Sequence, residues 1–221
     1  GPGQTYATIS AALAGLLADN DPLTGHSCVV IRDGATYAEQ VTVEGFTNNG
    51  SSISIMSAPD TGQIPTVSPP ALSTGAFVVN NTSINVIGIN IAPTNAMSWG
   101  VYASSAWITL STVNVKDALG FIKFAGVQLS SRNAVSYSSV TVTAAHGFHL
   151  PGSTMTMISY STAQVAGAGF SAFSLQASVN GLFTAVVGTN TLGHAMWLNG
   201  GGFNAVSAST MVSDGAAYRA L

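Results

Sequence analysis

Three groups of side chains in this 221-residue chain have types and spacing that chemistry could use. The densest charge group is Lys116, Asp117, Lys123 and Arg132. It reads either as a small anionic-ligand or acid–base site, or as corner charges worth up to about 1 kcal/mol each. His146 and His149 flank Gly147-Phe148, and His194 follows Gly193 two repeats later. A His-x-x-His pair can begin a metal site. No cysteine or carboxylate lies near in sequence to complete it, so neutral, hydrogen-bonded histidines are the preferred reading, with no metal and no cofactor expected. The third group is Arg32, Asp33, Glu39 and Glu44, where Asp33 before Gly34 is a turn signal. The lone Cys28 cannot form an intrachain disulfide, and its setting in Cys28-Val29-Val30-Ile31 reads as a small buried hydrophobe. The run Asn199-Gly200-Gly201-Gly202 lacks the lysine and helix of a phosphate loop.

Composition narrows the options. Only 6% of residues are charged, against about 25% in an ordinary domain. The apolar share of 47% is ordinary, so Gly, Ser, Thr and Asn have taken the place of charge. A net charge of −3 with five scattered cations excludes a basic nucleic-acid footprint. No apolar run approaches the ~20 residues of a membrane span. Residues 133–213 contain no Asp, Glu, Lys or Arg.

The elements that must position these residues are mostly strands. Ile9, Leu13, Leu16 and Leu17 lie on one face of a helix expected over 8–20, with Thr8 as N-cap and Asn20-Asp21-Pro22 as the stop. Short β-rich runs follow within 28–56, then a proline-rich loop over 57–75. From 75 to 221 the chain repeats. A glycine before an apolar or aromatic strand recurs at Gly75, Gly100, Gly120, Gly147, Gly169, Gly193 and Gly215, about 23 residues apart. Octets starting at Ile84, Ile108, Val135, Ile158 and Val206 repeat in phase with it. Each reads as two short strands around a bend of small residues. Two strand signals in about 23 residues describe one coil of a parallel β-solenoid, which buries its inner face by stacking on its neighbours. Leucine-rich repeats lack their leucine frame here, and propeller blades need about 40 residues.

Two stretches carry a family resemblance. Gln4-Thr-Tyr-Ala-Thr-Ile-Ser-Ala-Ala-Leu13 and Val29-Val-Ile-Arg-Asp-Gly-Ala-Thr-Tyr-Ala-Glu-Gln-Val-Thr-Val43 resemble the opening of pectin methylesterase-like and pectate lyase-like β-helices. The coils from Gly75 resemble the Ser/Thr-rich β-helix repeats of large bacterial surface proteins and, less closely, phage tail fibres. The resemblance implies an all-β, right-handed parallel β-helix, a single domain over 1–221 with an N-terminal capping helix. It also implies a place to look for chemistry. Gln128, in Phe124-Ala-Gly-Val-Gln-Leu-Ser-Ser-Arg132, is loosely like a pectin methylesterase glutamine, but Leu129 stands where that family has aspartate. The uncharged stretch 133–213 cannot supply the second carboxylate or the arginine. The same lack tells against glycoside hydrolysis, which needs paired acids, and against Ca²⁺-dependent lysis.

What remains is a polar surface. Octet position two would stack Asn85, Thr109, Ser136, Ser159 and Ser207 as a ligand face, with Asn90, Asn114, Thr141 and Gln164 on a second line. Trp107 and Trp197, with Tyr102, are the aromatics that could add sugar binding. The preferred function is therefore a non-catalytic structural or adhesive segment of an extracellular or cell-surface protein. A polysaccharide-active enzyme and a carbohydrate-binding or phage-fibre module are the alternatives. Gly215-Ala-Ala-Tyr-Arg-Ala-Leu221 begins another coil without a cap. It is expected to be followed by further coils, as in a piece of a longer chain, or to meet a partner or another copy.

Overall fold

The structure is a computed structural model and describes residues 5–19, 21–177 and 180–214. Its strands wind into a parallel β-solenoid of about seven coils, each about 25 residues long. The first sheet holds Ser27–Ile31, Ile53–Ser57, Ile84–Ile87, Ile108–Ser111, Asn133–Ser136, Thr156–Ser159, Leu182–Thr184 and Ala205–Ser207. The second holds Thr36–Tyr37, Thr66–Val67, Asn90–Ile91, Asn114–Asp117, Ser139–Val142, Thr162–Val165, Val187–Asn190 and Thr210–Ser213. The third holds Val41–Val43, Gly75–Asn80, Met97–Ser104, Ile122–Leu129, His146–Pro151, Ser171–Gln176 and His194–Asn199.

The core is three rows of like side chains running along the axis. Ile55, Val86, Leu110, Val135, Ile158 and Phe183 are register partners in the first sheet. Val67, Ile91, Val115, Val140 and Ala163 are partners in the second. Phe77, Val101, Val127, Phe148, Phe173 and Met196 are partners in the third. No residue of these rows is more than 2% exposed. Burying each large side chain contributes about 1.5–3 kcal/mol, which is how coils too small to fold alone become stable together. Phe148 and Phe173 stack at 5.3 Å inside this core.

Helix Ile9–Asp19 closes the N-terminal end, burying Ile9, Ala12 and Leu13. The Thr8 hydroxyl accepts the Ala11 amide at 3.0 Å, as an N-cap does. Glu39, thirty residues on, accepts the amides of Ile9 and Ser10 at 2.8 and 2.9 Å. Its charge complements the positive end of the helix dipole and anchors the helix to the first coil.

The corner between the first and second sheets is a two-residue bend. Its first residue is left-handed in six successive coils: Gly88, Thr112, Tyr137, Tyr160, Ala185 and Ala208 all have φ between 47° and 67°. The ladder still runs through the corner, because each of the first five donates its amide to a carbonyl of the next coil. The second bend residue points inward, and a serine there satisfies the tight turn. Ser138, Ser161 and Ser209 each donate to the carbonyl two residues back and accept an amide from the preceding coil.

Three expectations need correction. The octets are offset by two residues between copies: Leu110, not Ile108, pairs with Val135, so the later frames start at Asn133 and Thr156. A two-residue slip leaves every side chain on the same face, so alternation cannot detect it. The proline-rich segment is part of a coil, with Thr66–Val67 in the second sheet. Cys28 is exposed, on the outer side of the first strand, since an unbroken apolar run gives no clue to which alternate residues face inward. The C-terminal segment 215–221 lies outside the described residues.

Candidate functional site

The third sheet has a local departure from simple alternation, and that departure builds its outer face. Gly100, Gly126, Gly147, Ala172 and Ala195 each precede a core residue of the third-sheet row and also turn inward. A Cβ on Gly100 would lie 2.5 Å from the Gly126 carbonyl and 3.0 Å from Val115. One on Gly126 would collide with Val140, and one on Gly147 would meet the Ala172 carbonyl at 2.5 Å. Only glycine, or alanine further along, fits this crowded column. Two consecutive inward residues leave those on either side facing out. Each coil therefore places a pair three residues apart on the outer side of the row: Trp99 and Tyr102, Ala125 and Gln128, His146 and His149, Ser171 and Ser174, His194 and Trp197, of which Ala125, His149, Ser171 and Ser174 are covered by neighbouring side chains.

Ring-bearing pairs alternate with small or amide pairs, and a phenylalanine covers each intervening coil. Phe124 precedes Ala125, and Phe170 precedes Ser171. A bulge between Ile122 and Ala125 turns both Lys123 and Phe124 outward. The result is a continuous strip of rings. Trp99 lies 4.5 Å from Tyr102 and 6.0 Å from Phe124. Phe124 meets His149 edge-on at 5.3 Å, His149 stacks on His146 at 5.2 Å, and Phe170 meets His146 edge-on at 5.4 Å.

Polar contacts fix the rings in place. The Trp99 indole donates to Gln128 Oε1 at 2.8 Å. His146 Nδ1 accepts the Ser171 amide at 3.0 Å, which places its proton on Nε2. His149 Nδ1 lies 3.2 Å from the Ser174 hydroxyl. His149 is 3% exposed, whereas Phe124 is 45% exposed. Burial, reinforced by the neighbouring His146, pushes the His149 imidazole down from 6.5 to about 4. Burial lowers His146 as well. The strip therefore carries aromatic faces and neutral hydrogen-bonding groups at pH 7.

The expected ligand face divides into two rows. Asn85 and Thr109 are partners, but Thr109 continues to Ala134. Ser136 and Ser159 belong to the neighbouring row, which runs Ser111, Ser136, Ser159, Thr184, Ser207. The second expected line divides the same way: Asn90 and Asn114 continue to Ser139, while Thr141 and Gln164 are partners of Lys116 and Thr189. The two tryptophans part company. Trp197 joins the outer row of the third sheet, and Trp107 sits at a corner leading into the first sheet with the Arg132 guanidinium 5.4 Å above its ring. Trp107, Arg132, Asn85, Thr109 and Met155 line a shallow, open depression of about 370 Å³.

The charged cluster does not assemble. Lys116 is exposed on the second sheet. Asp117 is 2% exposed and clamps the following turn, accepting the amides of Phe121 at 2.9 Å and Ile122 at 2.7 Å. The Lys123 ammonium donates to the Gly120 carbonyl in that turn, and Arg132 is occupied with Trp107. In the N-terminal group, Asp33 accepts the Ala35 amide and the Tyr37 hydroxyl. Glu39 holds the helix, Glu44 accepts from Asn80, and Arg32 pairs with Asp60. No group of three His, Cys, Asp or Glu suited to a metal ion occurs among the described residues.

Sequence reasoning passed over Trp99, Phe124 and Phe170 as surface residues. The signal was present in the aligned tetrads Trp-Gly-Val-Tyr, Ala-Gly-Val-Gln, His-Gly-Phe-His, Ser-Ala-Phe-Ser and His-Ala-Met-Trp, which share one inward pair. The expected glycine series mixed this column, at Gly100 and Gly147, with left-handed turn glycines at Gly120 and Gly169, and it missed Gly126. Among the described residues, no helix is long and apolar enough to cross a membrane. No protein family matches the chain, and no curated protein and no solved structure matches it.

Proposed function

We propose that this chain is a non-catalytic structural and adhesive segment of an extracellular or cell-surface protein, built on a right-handed β-helix of the pectin lyase-like kind. One observation carries the reading: the carboxylates of the two charged groups are each engaged within the fold, Asp33 by the Ala35 amide and the Tyr37 hydroxyl and Glu44 by Asn80. Glu39 and Asp117 each accept two main-chain amides. Taking a proton there would weaken the helix cap or the turn it secures. The fold itself suits a shaft, since ladders and stacked core rows extend along one axis without a cofactor.

The test is incubation of the chain with pectic and neutral polysaccharides over pH 4–9, measuring reducing ends, unsaturated products and released methanol. The expected result is no product above the protein-free control. Product that scales with protein would overturn the reading. A second reading, a carbohydrate-binding or phage-fibre module, is favoured by the half-exposed rings of the third sheet and is compatible with a shaft.

A further inference from the structure

We propose that the outer face of the third sheet binds a neutral, extended β-1,4-linked polysaccharide chain lying along the solenoid axis. The proposal rests on the carbohydrate-binding reading above and gives that reading a site and a ligand class.

Spacing supports it first. Ring-bearing pairs recur on every second coil, at Trp99/Tyr102, His146/His149 and His194/Trp197. Two coil steps span about 9.6 Å at ordinary strand spacing. This is close to the disaccharide repeat of an extended β-1,4 chain, whose alternate sugar units present the same face. A ligand of that kind would meet the partly exposed rings of Trp99, His146 and His194 at successive repeats, while His149 lies buried beside His146.

Preorganisation supports it next. The rings hold one another, and Gln128, Ser171 and Ser174 hold three of them by hydrogen bonds, so little side-chain freedom is lost on binding. The bulge that exposes Phe124 is the kind of local device that re-aims a side chain.

Charge selects the ligand class. Gln128, the Tyr102 hydroxyl, the Trp99 and Trp197 indole nitrogens and the His146 and His194 imidazoles are the polar groups of this face, with His149 buried against Phe124. The nearest cation, Lys123, directs its ammonium to the Gly120 carbonyl instead. An anionic chain would find no cation over the rings, while a neutral one loses nothing by their absence. Aromatic faces flanked by amide and imidazole groups suit the apolar faces and hydroxyl edges of neutral pyranoses.

The experiment is affinity electrophoresis of the chain in native gels containing hydroxyethylcellulose, galactomannan, glycogen or carboxymethylcellulose. Retardation is expected with the first two and not with glycogen. Phe124→Ala and Gln128→Ala should each weaken retention at least tenfold, and Trp107→Ala, on another face, should leave it unchanged. Circular dichroism and melting curves on each variant establish that it is folded. Four results would overturn the site: no retardation by either neutral β-1,4 polymer, equal or stronger retardation by glycogen, stronger retardation by carboxymethylcellulose, or retention kept in folded Phe124→Ala. Concentration-dependent dimerisation abolished by Phe124→Ala would assign the face to a second copy and overturn it too. Failure of binding leaves the shaft reading standing. Sugar release, by contrast, would overturn the non-catalytic reading without touching the location of the site.

Discussion

Acid should destabilise this protein through one buried imidazole, and the size of the effect follows from its surroundings. His149 is 3% exposed, lies under the edge of Phe124 and stacks on His146. Burial is the main reason that it titrates near 4 in the folded chain rather than near 6.5. Above about pH 6.5 the imidazole is neutral in both states, and folding is unaffected. Between 6.5 and about 4 the unfolded chain takes up a proton that the folded chain refuses, so stability falls as pH falls. The full loss is about 3 kcal/mol, from about 1.36 kcal/mol per pH unit over that interval. His149→Gln removes this titration and adds a packing cost that does not vary with pH. Urea denaturation of both proteins from pH 4 to 7.5 isolates the effect, since the two differ only at this side chain. The wild-type advantage over the variant should shrink by about 3 kcal/mol across the window. A difference that stays constant with pH would refute the burial and stacking assigned to His149.

Two further predictions concern the residues that hold the frame. Asp117→Ala leaves the amides of Phe121 and Ile122 without their acceptor and should cost about 3 kcal/mol in urea denaturation, with Asp117→Asn retaining part of it. Gly147→Ala forces a methyl onto the Ala172 carbonyl and should cost at least about 2 kcal/mol. Gly25→Ala, where a Cβ meets nothing within 4 Å, should change stability by no more than about 0.5 kcal/mol in the same assay.

The solenoid was readable because its evidence is redundant. Ile84, Ile108, Val115 and Val140 repeat an inward parity in every coil, and a period-2 pattern reports parity directly. Thr8 and the Ile9/Leu13 spacing marked the helix for the same reason. Absolute register was not readable, because a slip of two residues conserves parity. That is why the octet spacing aligns Ser136 and Ser159 with Thr109, whereas across the coils they partner Ser111 and Thr184. The candidate site was hidden by a related effect. His146 and His149, three apart, fall on opposite faces of a regular strand. They share a face here because Gly147 and Phe148 both turn inward, and only the crowding around Gly147 makes that necessary. The charged group misled because nearness in sequence does not carry across a corner: Lys116, Asp117 and Lys123 are within eight residues yet face the second sheet, the interior and the third sheet.

The whole account of the outer strip depends on which residues are partners across coils of the third sheet. Paired cysteines test that directly, in a chain where Cys28 is replaced by serine. Adjacent strands lie about 4.8 Å apart, within the Cα range a disulfide spans, while a two-residue slip moves the pair to about 7–8 Å or beyond. Tyr102→Cys with Gln128→Cys should lose its free thiols on mild oxidation and show an intramolecular bridge by mass spectrometry. Tyr102→Cys with Ser130→Cys should keep them. Cross-linking of the second pair in preference to the first would contradict the register, and with it the ring strip.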